Sequence, residues 1–202
     1  MKPVMKTMLA GLMALSPTMT VGLPGRNSNI VHFKMVVSDA AKSCLPKASA
    51  QVTISPGGPT DTMTVSVSGL PPKMDFDFFV IQVPHQPFGM SWYQGDILTD
   101  SRGNGHANFV GRFSIETFVV APGVAVAPTE FPTSPFPDAS QNPMTSPVQM
   151  YHLGLWFNSS NDAQKAGCPS TVTPFNGEHN AGIQVLNTSN FPDLSGPLLN
   201  VE

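Results

Sequence analysis

The chain has 202 residues, of which 11% are charged and 41% hydrophobic, and its formal net charge is −3. This length suits one domain with one core, because single cores commonly serve roughly 100 to 200 residues. The ten Lys and Arg residues are scattered rather than clustered, so no nucleic-acid partner is predicted. Ordinary soluble proteins are about 25% charged. Because so few residues are charged, the polar surface must consist largely of Ser, Thr, Asn and Gln. This profile favours a secreted or cell-surface protein.

The first 22 residues are predicted to form a secretory signal peptide. Lys2 and Lys6 precede a short apolar run at residues 8–15, and this order is typical of an export signal. The run is too short to cross a bilayer, which takes about 20 apolar residues, so no membrane span is predicted. A buried or amphipathic N-terminal helix is the alternative, and the cleavage position stays open.

A flexible entry at residues 23–32 is expected to lead into a single domain at residues 33–202. Within that domain, hydrophobic and polar side chains alternate at residues 51–55 and again at 63–68. A period of two is typical of strands with one buried and one wet face. The turn sequence Pro56-Gly57-Gly58-Pro59 separates the two runs. We therefore predict a hairpin.

The next elements are predicted to extend the sheet. Residues 76–83 form the most apolar stretch after the N-terminal run, which predicts a central strand. The segment Asp100–Gly105 ends in Asn-Gly, the strongest short-range turn pattern, and alternation resumes at residues 106–113. A calcium-binding loop is the alternative for this turn, but Arg102 would occupy a ligand position.

The second half begins with a long Pro-rich loop at residues 121–149, which holds seven prolines in 29 residues and is predicted to leave the domain and return to it. Strands are predicted at residues 150–157 and 182–186. One short helix is predicted near residues 160–167, with Ser160 as the capping residue at its front and Gly167 as the terminating residue at its back. The predicted fold is all-β, an antiparallel β-sandwich, with an antiparallel barrel as the alternative.

One part of the chain is similar to a known kind of module. Ser68-Gly69-Leu70-Pro71-Pro72, then an apolar strand, then Thr99–Gly105 resembles the edge-turn and hairpin pattern of immunoglobulin-like or fibronectin-III-like modules in bacterial secreted and surface proteins. The resemblance covers about residues 50–120. It implies a sandwich fold and no catalytic residues, and the Trp and Cys spacing of antibody domains is absent.

Two cysteines, Cys44 and Cys168, are present, and export favours their pairing in a disulfide. Such a bridge would close a loop of more than a hundred residues, worth about 4 to 5 kcal/mol in the chain-entropy model. Two separate buried thiols are the alternative.

Histidines are the candidate ligands for a transition-metal site. Neutral imidazoles are common metal ligands, and distant strands and loops of a sandwich can bring together His85, His152 and His179. The five histidines of the chain show no metal-ligand spacing, so surface or hydrogen-bonded structural histidines are the alternative. No other cofactor is predicted.

Aromatic side chains are the candidate ligand contacts. Trp92, Tyr93 and Trp156 present flat faces with polar tips, which stack well on sugars and polymers. The period of two puts Trp156 on the strand face of His152, away from the apolar face. The alternative is that both Trp side chains cap the core. Asn158 and Asn187 fit the N-glycosylation pattern.

Catalysis has little support. Ser91 lacks the second Gly of a nucleophile elbow, and Asp75 and Asp77 have no evident acid partner. The first hypothesis is therefore a secreted structural or adhesive protein whose partner is an extracellular polymer, a cell-envelope component or another protein. A carbohydrate- or ligand-binding module is the alternative, and a His-based metal-dependent enzyme is the second alternative.

Overall fold

The computed structural model describes residues 29–115, 117–119, 148–173 and 179–201. The predicted signal peptide and residues 121–147 of the predicted Pro-rich loop lie outside this range. The described residues form ten strands, one α-helix and one 3₁₀ turn. The strands are β1 (Val31–Val37), β2 (Ser49–Gly57), β3 (Thr60–Ser68), β4 (Asp75–Ile81), β5 (Ser91–Leu98), β6 (Gly105–Gly111), β7 (Phe118–Val119), β8 (Val148–Gln149), β9 (His152–Phe157) and β10 (Gln184–Asn187). The helix is α1 (Ser160–Lys165), and the 3₁₀ turn is Pro197–Asn200.

Eight of the strands form one antiparallel sheet in the order β5-β4-β9-β10-β1-β2-β3-β6, and β7 pairs separately with β8. The two end strands approach each other, because an antiparallel bridge joins Thr99, just after β5, to Gly105 at the start of β6. The sheet is therefore nearly closed. The prediction of an all-β, antiparallel fold is confirmed.

The predicted first hairpin is present. β2 and β3 pair in continuous register from Ser49 opposite Ser68 to Gly57 opposite Thr60. The connection is a two-residue loop, Gly58-Pro59, and Gly58 has a φ of 40°. Only Gly adopts such a φ without strain, so the glycine of the turn cluster sets the hairpin.

Both central strands are buried on both faces. β4 pairs with β5 and β9, while β9 pairs with β4 and β10. Every residue of β9 is buried. The central position predicted for residues 76–83 is confirmed, although the strand itself ends at Ile81. The strand predicted at residues 150–157 corresponds to β9, which begins at His152, two residues later than predicted.

The main core lies between the inward faces of the strands. Its largest fully buried side chains include Phe76, Phe78, Phe113, Tyr151 and Phe157. A second, smaller cluster lies on the outer face of β4 and β9 and consists of Phe79, Ile81, Phe88 and Trp156. The sheet is therefore covered on both sides at this point, which is where the candidate site lies.

The predicted helix and disulfide are also confirmed. Ser159, one residue earlier than expected, caps α1 by accepting a hydrogen bond from the backbone N–H of Asp162, and Gly167 ends the turn with a φ of 75°. The sulfurs of Cys44 and Cys168 are bonded at 2.03 Å. No helix among the described residues is long and apolar enough to cross a bilayer.

The turn at Asp100 is part of a hairpin. Its carboxylate Oδ1 accepts hydrogen bonds from the backbone N–H groups of Arg102 (2.7 Å) and Asn104 (3.0 Å). Both hydrogen bonds favour the ionised carboxylate, and that from Asn104 has the larger effect, so the pKa of Asp100 lies below its usual value.

The expected flexible entry is shorter than predicted. β1 begins at Val31, so the last two residues of that entry, 31 and 32, lie in a strand.

Candidate functional site

A cleft of about 650 Å³ lies beside β10 and is lined by residues of three connecting segments. Its volume falls within the roughly 300 to 1,000 Å³ that is usual for small-molecule sites. The residues that line it are Ser38, Asp39, Ala40, His85, Gln86, Phe88, Pro169, Thr171, Thr173, Ile183, Gln184, Asn187 and Ser189.

The first and third walls, residues 38–40 and 169–173, are tied together by the disulfide. Ser38 follows β1 directly, and its backbone N–H donates to the Val185 carbonyl at 2.9 Å. The third wall starts one residue after Cys168 and is anchored by the bond from the Thr173 N–H to the Ala181 carbonyl (2.7 Å). Because Cys44 closes the turn that begins at the first wall, the bridge fixes the spacing of the two walls.

The second wall is the loop between β4 and β5. The backbone N–H of Val83 donates to the Phe88 carbonyl at 3.1 Å, which folds the loop back on itself around a cis Gln86–Pro87 bond. The Phe88 ring meets the Trp156 ring edge-on, with centroids 5.1 Å apart. Trp156 therefore holds Phe88 in place at the cleft.

Two buried amides, Gln184 and Asn187, form the polar base of the cleft. The Asn187 Nδ2 donates to the Pro84 carbonyl (2.9 Å) and to the Gln184 Oε1 (2.8 Å), while its Oδ1 accepts from the Ser189 N–H (3.1 Å). The two backbone partners fix which Asn187 atom is oxygen and which is nitrogen. Because the Asn187 Nδ2 is a donor, the Gln184 atom that it contacts must be the acceptor Oε1. The other amide atom of Gln184 is therefore the nitrogen, Nε2.

The Nε2 of Gln184 has no hydrogen-bond partner among the described residues, although the side chain is 5% exposed. Leaving a buried donor unsatisfied costs about 1 to 3 kcal/mol. Gln184 lines the cleft, and its side chain thus carries one buried donor that no described residue uses.

The charged groups lie at the rim. The Lys42 Nζ lies 2.5 Å from the Asp39 Oδ1, and this hydrogen bond, with the charge of Lys42, lowers the pKa of Asp39. The His85 Nε2 lies 3.2 Å from the Asp193 Oδ2. No Lys or Arg is among the described residues that line the cleft.

His152 is the first residue of β9 and is fully buried. Its Nδ1 lies 2.8 Å from the Thr188 Oγ1, and its Nε2 lies 3.0 Å from the Asp193 carbonyl. Since a carbonyl only accepts, Nε2 carries the hydrogen of the neutral ring and Nδ1 accepts from Thr188. Burial lowers the pKa of His152.

The three aromatic candidates do not form one exposed face. Trp156 is fully buried, contrary to the face assigned to it from the period of two, because the second wall covers the outer face of β9. Trp92 is half-buried against the main core, with its Nε1 donating to Gln94. Tyr93 is 52% exposed, and its hydroxyl donates to Asp96 at 2.6 Å. Tyr93 and Trp156 are linked through Phe79, which meets both rings edge-on.

The three histidine candidates are in different settings. His85 lines the cleft, His152 has both ring nitrogens hydrogen-bonded, and His179 is exposed with a φ of 56°. Across the described ranges, no group of three or more His, Cys, Asp or Glu side chains is placed to hold a metal ion.

The sequence reasoning did not single out Gln184 as a site residue, and it considered Asn187 only as a glycosylation acceptor. Both lie in a four-residue strand whose members are all buried. The feature that pointed to a polar site was the position of two amide side chains at the ends of a fully buried strand, because buried amides need hydrogen-bond partners. The Asn187 side chain is 2% exposed and hydrogen-bonded, so in the folded protein it is a part of the cleft rather than an open acceptor.

Comparison of the chain with family models, with curated proteins and with solved structures finds no match.

Proposed function

We propose that the protein is an exported, non-enzymatic binding protein that takes up a small, uncharged polar ligand in the cleft beside β10. The observation that carries this proposal is a cleft of small-molecule size lined by Gln184, whose buried Nε2 has no hydrogen-bond partner among the described residues. Binding sites combine apolar walls with a few well-placed polar groups, and Phe88 and Ile183 supply apolar wall here.

Export is supported by the disulfide. Bridges of this kind persist in oxidising compartments and are rare in the cytosol. The bond between Cys44 and Cys168 agrees with the charged and apolar N-terminal pattern of the sequence. The proposed location is extracellular or at the cell surface.

For the fold, we propose an immunoglobulin-like sandwich. The strands β1-β2-β3-β6 and β10-β9-β4-β5 would form its two layers. In support, β1 pairs with β2 through residues 31–35 and with β10 through residues 36–37, so one strand joins both halves. The inward faces of both halves contribute to one core.

A structural or adhesive role is the second candidate. The outward face of β2 and β3 carries uncharged polar side chains in rows across the strands. Thr53 lies opposite Thr64, and the Thr64 hydroxyl donates to Asn108 at 2.7 Å. An uncharged face of hydroxyls and amides suits contact with a hydrated polymer.

The cleft is tested by NMR on the mature protein. The side-chain amide resonance of Gln184 is followed while methyl glycosides, polyols and capped dipeptides are added in turn. We expect saturable shifts at Gln184, Thr173 and Ser189 with at least one of these compounds. If none of them shifts these resonances, the binding function is wrong and the structural role becomes the better proposal.

A further inference from the structure

We infer that the ligand of the cleft is a neutral carbohydrate. This inference rests on the proposed binding function and adds the chemical class of the ligand. It follows from the charge, the hydrogen-bonding groups and the strand pairing around the cleft.

The charges at the cleft disfavour an anionic ligand. Among the described lining residues, Asp39 is the one carboxylate, and no Lys or Arg faces it from the lining. The nearby Lys42 is already paired with Asp39, and the pKa of Asp39 is lowered, so its carboxylate remains ionised at neutral pH. Phosphate and carboxylate ligands are bound by Arg or Lys, so an uncharged ligand fits this site better.

The polar lining consists mainly of amides and hydroxyls. Besides the unused donor of Gln184, hydroxyl groups are supplied by Ser38, Thr171, Thr173 and Ser189. The Ser38 hydroxyl donates to the Gln184 carbonyl at 2.5 Å, which leaves its oxygen able to accept. A ligand that matches this lining must both donate and accept at several adjacent positions. Vicinal hydroxyl groups of a sugar do so.

The backbone of β10, beside the cleft, is already paired with strands on both of its sides. β10 is paired on one side with β9 and on the other with β1. An extended peptide is commonly recognised by adding a strand to an open sheet edge, and β10 offers no such edge. The side chains must therefore make the polar contacts, which favours a polyhydroxylated ring over a peptide.

The apolar wall suits the C–H face of a sugar ring. Phe88 and Ile183 line the cleft and are 8% and 5% exposed. Trp156 packs edge-on against Phe88 with an interplanar angle of 82°, so the Phe88 ring is held in one orientation before a ligand arrives. A fixed aromatic ring loses little conformational entropy on binding.

The test is isothermal titration of the mature protein with neutral methyl glycosides and short neutral oligosaccharides, and separately with capped dipeptides. The variant Gln184→Met removes the donor while keeping a similar volume. Asn187 still donates to the Pro84 carbonyl in this variant, so we expect it to fold. The matched control is Gln51→Met, because Gln51 is exposed on β2 and far from the lining.

We expect a saccharide to bind the wild type and the Gln51→Met variant alike, and to bind Gln184→Met about fivefold or more weakly. Binding of capped dipeptides but not saccharides, with the same loss in Gln184→Met, would overturn the carbohydrate inference and leave the binding function standing. Binding of neither class overturns both. Saccharide binding that Gln184→Met does not weaken places the site elsewhere and overturns the inference.

If the Gln184→Met variant does not fold, the wild type decides the question. Saccharide-induced shifts at the Gln184 side-chain amide and at the backbone of Ser189 would support the inference. Saccharide binding without those shifts would contradict it.

Discussion

His152 connects the second half of the sheet to the segment that follows β10. Both of its ring nitrogens are bonded inside the protein, to Thr188 and to the Asp193 carbonyl, and the side chain is fully buried. Asp193 is also contacted by His85 from the cleft. One buried imidazole thus helps to position a residue that reaches the rim of the site.

Acidification is expected to destabilise the fold through His152. Burial lowers its pKa in the folded state below the ordinary value of 6.5, so the unfolded chain takes up a proton that the folded chain resists. Below about pH 6.5, the free energy of unfolding therefore falls as pH falls, by at most about 1.4 kcal/mol for each pH unit. Urea unfolding at pH 7.5 and 5.5 measures this loss, which we expect to be smaller in His152→Gln.

The matched control is His106→Gln, because His106 is an exposed imidazole on β6. We expect its pH dependence to follow the wild type. An equal loss of stability between pH 7.5 and 5.5 in the wild type and in His152→Gln would contradict the role of the buried ring.

At the scale of elements, the disulfide joins two segments that both form walls of the cleft. It spans 124 residues of sequence, so removing it releases a long loop in the unfolded chain. We expect the double variant Cys44→Ser/Cys168→Ser to lose about 4 to 5 kcal/mol in the free energy of unfolding. Urea unfolding measures this, and NMR shifts at Thr173 and Ser189 report the cleft.

The comparison variant is Val52→Ala, which leaves a cavity in the core on β2, away from the lining. It is expected to lower stability while leaving the cleft resonances and any saccharide affinity unchanged. If the double cysteine variant likewise keeps the wild-type cleft resonances, the bridge does not set the spacing of the walls.

The elements themselves were largely predictable, because local patterns determine them. The β2–β3 hairpin follows from a period of two around Pro56-Gly57-Gly58-Pro59, and α1 follows from its cap and its terminating Gly167. The burial of Trp156 was missed because β9 is covered on both faces, so its period of two does not mark a wet side. Its near-continuous apolar sequence was the better guide.

The cleft was not predictable for a different reason. Its walls come from residues 38–40, 85–88 and 169–173, and its base from β10. These segments meet only because β1 and β9 both pair with β10. Sequence spacing does not contain that long-range pairing, and the hydrogen bonds of Asn187 depend on it.

At the scale of the whole molecule, the near closure of the sheet depends on contact between its end strands. The Phe109 ring of β6 stacks on Phe78 of β4, with centroids 5.2 Å apart and planes within 1°. It lies directly over Gly95 of β5, where an added Cβ would be 2.7 Å from the Phe109 Cε1. The absence of a side chain at Gly95 therefore lets β6 approach β5.

Gly95→Ala is expected to force these strands apart. The variant meets the Phe109 ring and also strains a backbone with a φ of 151°, so we expect a loss of about 2 to 4 kcal/mol in the free energy of unfolding. Gly58→Ala is the control, because Gly58 also has a positive φ but nothing lies within 4 Å of an added Cβ. Its cost is expected to be about 1 to 2 kcal/mol, from the backbone alone.

The two variants differ in a second observable. Separation of β5 and β6 exposes two strand edges, and open edges pair with other chains. Size-exclusion chromatography should therefore detect concentration-dependent oligomers of Gly95→Ala but not of Gly58→Ala. Equal costs in urea unfolding, with both variants monomeric, would show that the Phe109 contact does not hold the ends of the sheet together.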